Sequence, residues 1–145
     1  MIKKGFVGFV ALIAAACASG AGPLPATDVP VGTEQVSTGK DFTLPMGRFA
    51  RVNGTPIMVT FRSVTADSRC PSDVQCVSAG DAVINLRLFS TAPATQDVVV
   101  HTNQDPRSVE FGGYHVTVVG LAPVPRSGST ISQSSYVVTL RVSSP

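Results

Sequence analysis

One stretch of the chain decides the fold class: Ile57-Met58-Val59-Thr60-Phe61-Arg62-Ser63-Val64. In an extended backbone successive side chains point to opposite faces, so Ile57, Val59 and Phe61 lie on one side and Thr60 and Arg62 on the other. An apolar face opposite a polar face, with a period of two residues, predicts a β-strand with one side in a core.

The same period recurs on both sides of this stretch. Residues 82–88 place Ala82, Ile84, Leu86 and Leu88 on one face, and shorter alternating runs separate turn-forming residues. Asn53-Gly54 and Gly112-Gly113 are dipeptides typical of β-hairpin turns. The other predicted strands cover residues 41–44, 48–52, 97–101, 108–111, 114–121 and 136–142.

No segment after Asp41 has the 3.6-residue period of a helix, which indicates an all-β domain over residues 41–145. Seven or eight short strands in about a hundred residues predict a single antiparallel β-sandwich of the immunoglobulin-like kind. A small closed barrel is the alternative.

Composition is that of one globular domain, since 43% of the 145 residues are hydrophobic and 14% are charged. Without Lys3 and Lys4, the eleven basic residues fall to nine and match the nine acidic ones. The remaining basic residues are scattered singly, whereas nucleic-acid binding needs them clustered. We therefore expect no nucleic-acid partner.

The N-terminus has the order of a secretory signal. Lys3 and Lys4 precede a twelve-residue apolar run at 5–16 that ends in alanines. A membrane-spanning helix needs about 20 apolar residues, so this run is too short for a permanent anchor. We expect a signal peptide at 1–16, followed by a proline-containing flexible linker at 17–40.

The end of the signal, Ile13-Ala14-Ala15-Ala16-Cys17, resembles a bacterial lipobox, in which the cysteine receives diacylglycerol. The resemblance implies lipidation, palmitate included, at Cys17, and two acyl chains suffice for stable membrane anchoring. Lipoboxes usually have leucine where this chain has Ala14. Ordinary cleavage after Ala16 would instead give a soluble periplasmic or secreted protein.

Two cysteines, Cys70 and Cys76, lie in the segment between the strands predicted at 57–64 and 82–88. An exported chain meets oxidants, which favours a disulfide between them. A metal site is the less favoured alternative, because His101 and His115 lie on distant predicted strands.

Charged residues flank this pair: Asp67, Arg69, Asp73 and Asp81. They are the candidate loop-binding residues, with Arg69 expected to pair with Asp67 or Asp73. Calcium could bind such carboxylates, but aspartate is also common in turns because it hydrogen-bonds its own backbone. We favour the turn role and expect neither a metal nor a cofactor.

The segments Asp67-Ser68-Arg69-Cys70-Pro71 and Cys76-Val77-Ser78-Ala79-Gly80 resemble the Asp-Ser-Arg-Cys-Pro and Cys-Val-Trp-Ala-Gly segments of a group of bacterial secreted proteins and lipoproteins. The resemblance implies export and a crosslinked loop, and no activity accompanies it. This chain departs from the group at Ser78, where tryptophan is usual.

The sequence contains no Gly-x-Ser-x-Gly, His-Glu-x-x-His or glycine-rich phosphate motif. His101 and the hydroxyls of residues 127–135 are the remaining catalytic candidates, and an enzyme ranks a distant third among the hypotheses. We expect a non-catalytic, lipid-anchored protein of the cell envelope that binds a protein or glycan through its loops. The alternative is a secreted soluble domain with a structural or assembly role.

Overall fold

The structure is a computed structural model that describes residues 34–91 and 94–145. The predicted signal peptide at 1–16 and the lipidation site Cys17 lie outside the described residues, as does the linker before residue 34. Within the described ranges, no helix is long and apolar enough to cross a membrane.

The described chain forms nine strands and one turn of 3-10 helix, Gln133–Ser135, so the all-β prediction is confirmed. The strands are β1 Glu34–Ser37, β2 Asp41–Pro45, β3 Phe49–Asn53, β4 Ile57–Asp67, β5 Ala82–Ser90, β6 Ala94–His101, β7 Ser108–Phe111, β8 Tyr114–Ala122 and β9 Val137–Ser143.

Two sheets face each other as a sandwich, as predicted. The five-stranded sheet has the order β1-β3-β4-β5-β6 and the four-stranded sheet the order β2-β9-β8-β7. All neighbours are antiparallel except β1 and β3, which are parallel.

Strand β1 lies in the range predicted as linker and brings the strand count to nine rather than seven or eight. Val36 is buried opposite Val52, while the other residues of β1 are exposed. A four-residue strand with a single inward apolar side chain has no detectable period, which is why the sequence did not indicate it.

The core consists of the inward faces of both sheets. Ile57, Val59 and Phe61 are fully buried, and Arg62 is exposed, so the alternation places these side chains as predicted. From the opposite sheet, Leu44, Val138 and Leu140 are also fully buried. Burial of this apolar surface is the main contribution to the stability of such a fold.

Both predicted hairpins are present. Gly112 and Gly113 have φ of 60° and 78° and connect β7 to β8, as a two-residue turn of this chirality requires. Between β3 and β4 only Gly54 has positive φ, and Thr55 donates hydrogen bonds to the Val52 carbonyl, so this turn is longer than the dipeptide suggested.

Candidate functional site at the cysteine-loop end

Three connections meet at one end of the sandwich. They are the cysteine loop (residues 68–81, between β4 and β5), the β6–β7 loop (102–107) and the β8–β9 loop (123–136). Hydrogen bonds between residues of different loops hold the three connections together. This end is where the sequence placed its candidate site residues.

The cysteine loop is crosslinked by a disulfide between Cys70 and Cys76, whose Cα atoms are 5.9 Å apart, as predicted. Below the crosslink the backbone is paired as a short extension of the sheet. Ser68 N donates to Asp81 O at 2.7 Å, and Cys70 N donates to Ala79 O at 2.8 Å. Covalent and hydrogen bonds therefore close the loop at two levels.

Gly80 forms the neck of this loop. Its φ is +67°, and a Cβ at this position would lie 1.8 Å from the carbonyl oxygen of Ser68. Both the backbone conformation and the close approach of the two chain segments require glycine here.

Arg69 fastens the cysteine loop to the end of β8. Its Nε and Nη2 lie 2.8 and 2.7 Å from the two carboxylate oxygens of Asp67, and both side chains are 11% exposed. The guanidinium also donates to the carbonyl oxygens of Leu121 and, at 2.8 Å, of Pro123. A rigid planar donor of this kind suits a site with several acceptors at fixed positions.

The Asp67 carboxylate also accepts a hydrogen bond from the Tyr136 hydroxyl at 3.0 Å. Burial raises the pKa of this carboxyl, but the hydrogen bonds from Arg69 and Tyr136 and the charge of Arg69 outweigh burial, and the pKa is lowered. Burial and the bond to Asp67 raise the pKa of Tyr136. Asp67 is therefore a charged acceptor that ties β4 to the start of β9.

Asp73, at the tip of the cysteine loop, contacts the β8–β9 loop. It accepts hydrogen bonds from the Ser127 backbone nitrogen at 2.9 Å and from the Ser127 hydroxyl, which lower its pKa. Beside it, Ser72 N donates to Pro125 O at 2.9 Å. The pair expected between Arg69 and an aspartate is therefore formed with Asp67, and Asp73 has a different partner.

Asp81 joins the cysteine loop to the β6–β7 loop. Its buried carboxylate accepts from Asn103 N at 2.8 Å and Thr102 Oγ1 at 3.0 Å, and His101 Nδ1 lies 2.6 Å away. Burial raises the pKa of Asp81, but these hydrogen bonds and the charge of His101 together lower it. Asn103 Nδ2 also donates to Gly80 O at 2.7 Å.

The three carboxylates therefore have different hydrogen-bond partners. Asp67, Asp73 and Asp81 do not converge, and no group of three or more His, Cys, Asp or Glu side chains in the described part of the chain could hold a metal ion. These residues, together with Arg69, fix the loops to one another.

The pairing of His101 with Asp81 resembles the base and orienting carboxylate of hydrolases. In the ranges that the structure describes, the other ring nitrogen of His101 has no serine or threonine hydroxyl at hydrogen-bond distance. Ser127 is engaged with Asp73, and Ser132 with Ser134 and Ser135. The contacts of this pair connect the cysteine loop to the β6–β7 loop.

Sequence reasoning missed the apolar side chains at this end. Val77 is fully exposed, Val124 is 60% exposed and Val74 46%. They account for three of the five exposed large apolar residues among those described, and all three lie on the linked cysteine and β8–β9 loops. Isolated valines in loops have no period, so the sequence alone offered no signal for them.

A cavity of about 230 Å³ opens beside the Arg69 network. Its lining combines polar and apolar atoms and comes from β4 and the β8–β9 loop: Asp67, Pro125, Ser129, Thr130, Ile131 and Tyr136.

Comparisons of the chain with protein-family models, with curated proteins and with solved structures find no match.

Proposed function

We propose that this chain is an exported, lipid-anchored binding module of the bacterial cell envelope, which presents the cysteine loop and the β8–β9 loop to a partner. The observation that carries the proposal is the exposure of Val74, Val77 and Val124 on two loops tied to each other. A surface ordered before binding loses little conformational entropy when a partner docks, which favours a role in recognition.

A protein is the partner that this surface favours over a glycan. Exposed aliphatic side chains surrounded by polar loop atoms are typical of the apolar centre and polar rim of protein interfaces. Ser78 stands where a tryptophan could have stacked on a sugar ring. A glycan would instead use the hydroxyl groups of the cavity lined by Ser129 and Thr130.

Anchoring rests on the signal-like N-terminus and on Cys17. The disulfide between Cys70 and Cys76 is compatible with an oxidising compartment. Residues 18–33 separate Cys17 from β1 and would span at most about 55 Å when extended. A domain tethered in this way could meet partners at and somewhat beyond the membrane surface.

The anchoring half of the proposal is tested by membrane fractionation and mass measurement. We expect the mature protein to start at Cys17, to carry the mass of acyl chains and to sediment with membranes, and Cys17→Ser to move into the soluble fraction. Membrane association that the substitution leaves unchanged would refute lipidation.

The binding half is tested by chemical crosslinking in envelopes that contain the full chain. A discrete crosslinked partner should be lost in Val77→Asp with Val124→Asp. It should be retained in Val119→Asp, which makes the same apolar-to-charged change at an exposed valine on β8. Equal crosslinking in all three proteins would show that the loop valines are not the binding surface.

A structural or assembly role is the second candidate, and strand β6 supports it. β6 is the last strand of the five-stranded sheet, and its residues 94–97 are exposed, so its outer edge could accept a strand from a partner. His101 N bonds to Pro106 O on the side away from β5, and by alternation Thr95 N also points to this outer edge. Thr95→Pro, which removes that donor, should then disrupt assembly and leave crosslinking through the loop valines unchanged.

A further inference from the structure

The outer face of the five-stranded sheet carries an apolar depression that the loop site does not include. Phe49 of β3, Met58 and Thr60 of β4 and Phe89 of β5 line a groove of about 250 Å³, which we name the aromatic groove. All four side chains are half-buried and point away from the core, because their neighbours in sequence are the buried ones.

Strand register explains why these side chains meet. Phe49 is directly opposite Thr60, and Met58 is directly opposite Phe89. Side chains opposite each other on one face of neighbouring strands are in contact range, and sulfur and aromatic rings pack favourably. The volume is sufficient for one bulky aliphatic or aromatic side chain.

Arginines flank the groove at both ends. Arg51 is opposite Met58, and Arg62 follows Thr60 by two residues on β4. Both arginines are exposed, and neither forms an ion pair with any residue in 34–91 or 94–145. Arg87, opposite Thr60, pairs with Asp97 at 2.6 Å, and the charge of Arg62 also helps to lower the pKa of Asp97, so one carboxylate faces three arginines. This face therefore has an excess of positive charge around an apolar centre.

The outer face of the four-stranded sheet differs in both respects. Thr43 and Thr139 are opposite each other at its centre, and Arg141 pairs with Asp41 at 2.6 Å. The polar centre and the paired charges of this face contrast with the apolar centre and the unpaired arginines around the aromatic groove.

We propose that the aromatic groove binds an extended acidic segment of a partner protein. One apolar side chain of the segment enters the groove, and carboxylates on either side pair with Arg51 and Arg62. Because Arg51 is opposite Met58, its distance from Arg62 along the strand direction is that between Met58 and Arg62. These two residues are four apart on β4, a separation of about 13 Å in a strand. In an extended peptide, acidic residues four positions apart with an apolar residue midway match this spacing and project from one side.

The test uses the purified full chain and fluorescent peptides with glutamate at positions one and five and leucine, phenylalanine or methionine at position three. We expect saturable binding that weakens as NaCl is raised, because exposed ion pairs are screened. Arg51→Glu with Arg62→Glu should weaken it by about tenfold or more, since both carboxylates then face like charge. Lysine in place of both glutamates should abolish binding.

Arg107→Glu is the matched control, because Arg107 is exposed on the β6–β7 loop, away from the groove. It should leave peptide affinity unchanged, as should Val77→Asp, which separates this surface from the loop site. Absence of binding by every glutamate peptide, or equal binding by the double variant, would overturn the proposal. Binding of polygalacturonate or phosphatidylglycerol vesicles in place of the peptides would also overturn it and would identify the anion actually recognised.

Discussion

Arg69 and Asp67 form a two-point ion pair, with Nε and Nη2 of the guanidinium 2.8 and 2.7 Å from the two carboxylate oxygens. The remaining donors of Arg69 are directed at the carbonyl oxygens of Leu121 and Pro123. One side chain thus connects the end of β4 with the end of β8, which belong to opposite sheets of the sandwich.

We predict that Arg69→Met lowers the free energy of unfolding by about 3 kcal/mol, because the Asp67 carboxylate and two carbonyls lose their donor in a mostly buried site. Urea unfolding followed by circular dichroism would measure the loss. Arg141→Met, which breaks the exposed pair with Asp41, is the control and should have little effect.

In a double-mutant cycle, the variant with both Arg69→Met and Asp67→Asn should lose less stability than the sum of the losses in the two single variants. The reason is that both changes remove the same interaction. Strict additivity, or a loss in Arg69→Met no larger than in Arg141→Met, would contradict the central position given to Arg69.

The acid dependence of stability follows from Asp67 and Asp81. Their folded pKa values are lowered, so the ionised forms are favoured in the native state. This contribution is complete above the ordinary aspartate pKa of 3.8 and is lost as the pH falls through the lower folded values. The free energy of unfolding should therefore decrease below about pH 4.

Asp67→Asn and Asp81→Asn should each be less stable than the native protein at neutral pH and show a shallower decrease in acid. Asp105→Asn, at an exposed position, should follow the native curve. The exposed Asp73 and Asp97 also have lowered pKa values and contribute a solvent-screened part of the decrease. If the free energy of unfolding falls equally with pH in all variants, Asp67 and Asp81 are not the source of the acid sensitivity.

Most of the fold was predictable because most strands carry a repeated inward pattern. In β5, Ala82, Ile84, Leu86 and Leu88 are all fully buried, as their alternation predicts. β1 has only Val36 to bury, and its parallel partner β3 is not its neighbour in sequence. A strand of this kind owes its place to tertiary pairing, which no local pattern encodes.

The site was predictable only where its contacts are local. The disulfide joins residues six apart, and Asp67 contacts Arg69 two residues later. By contrast, Ser127 is 54 residues from Asp73, and Tyr136 is 69 residues from Asp67. Sheet topology brings those pairs together, so the aspartates could be identified as candidates from the sequence but their partners could not.

Gly80→Ala should destabilise the protein far more than Gly54→Ala. Both glycines have positive φ, which costs a non-glycine residue about 1 kcal/mol or more. A Cβ at Gly54 meets nothing within 4 Å, whereas at Gly80 it would overlap the Ser68 carbonyl oxygen at 1.8 Å. Thermal unfolding of the two variants should separate backbone strain from steric overlap. Equal losses of stability would mean that the backbone at Gly80 does not approach Ser68 closely in solution.

The final prediction concerns the crosslink of the cysteine loop. In the chain-entropy description, closing the seven-residue loop between Cys70 and Cys76 stabilises the fold by about 2 kcal/mol, because it restricts the unfolded chain. Cys70→Ser with Cys76→Ser, made in a Cys17→Ser background so that no free thiol remains, should lose about that amount in urea unfolding.

The loop conformation should survive this change, since Ser72 and Asp73 still bond to Pro125 and Ser127 without the disulfide. Amide hydrogen exchange at Ser72 and Ser127 is the measurement that distinguishes the two contributions. If both amides stay protected while the free energy of unfolding falls by about 2 kcal/mol, the disulfide stabilises the protein by restricting the unfolded chain. Loss of protection at both amides would instead mean that the disulfide itself holds the cysteine loop against the β8–β9 loop.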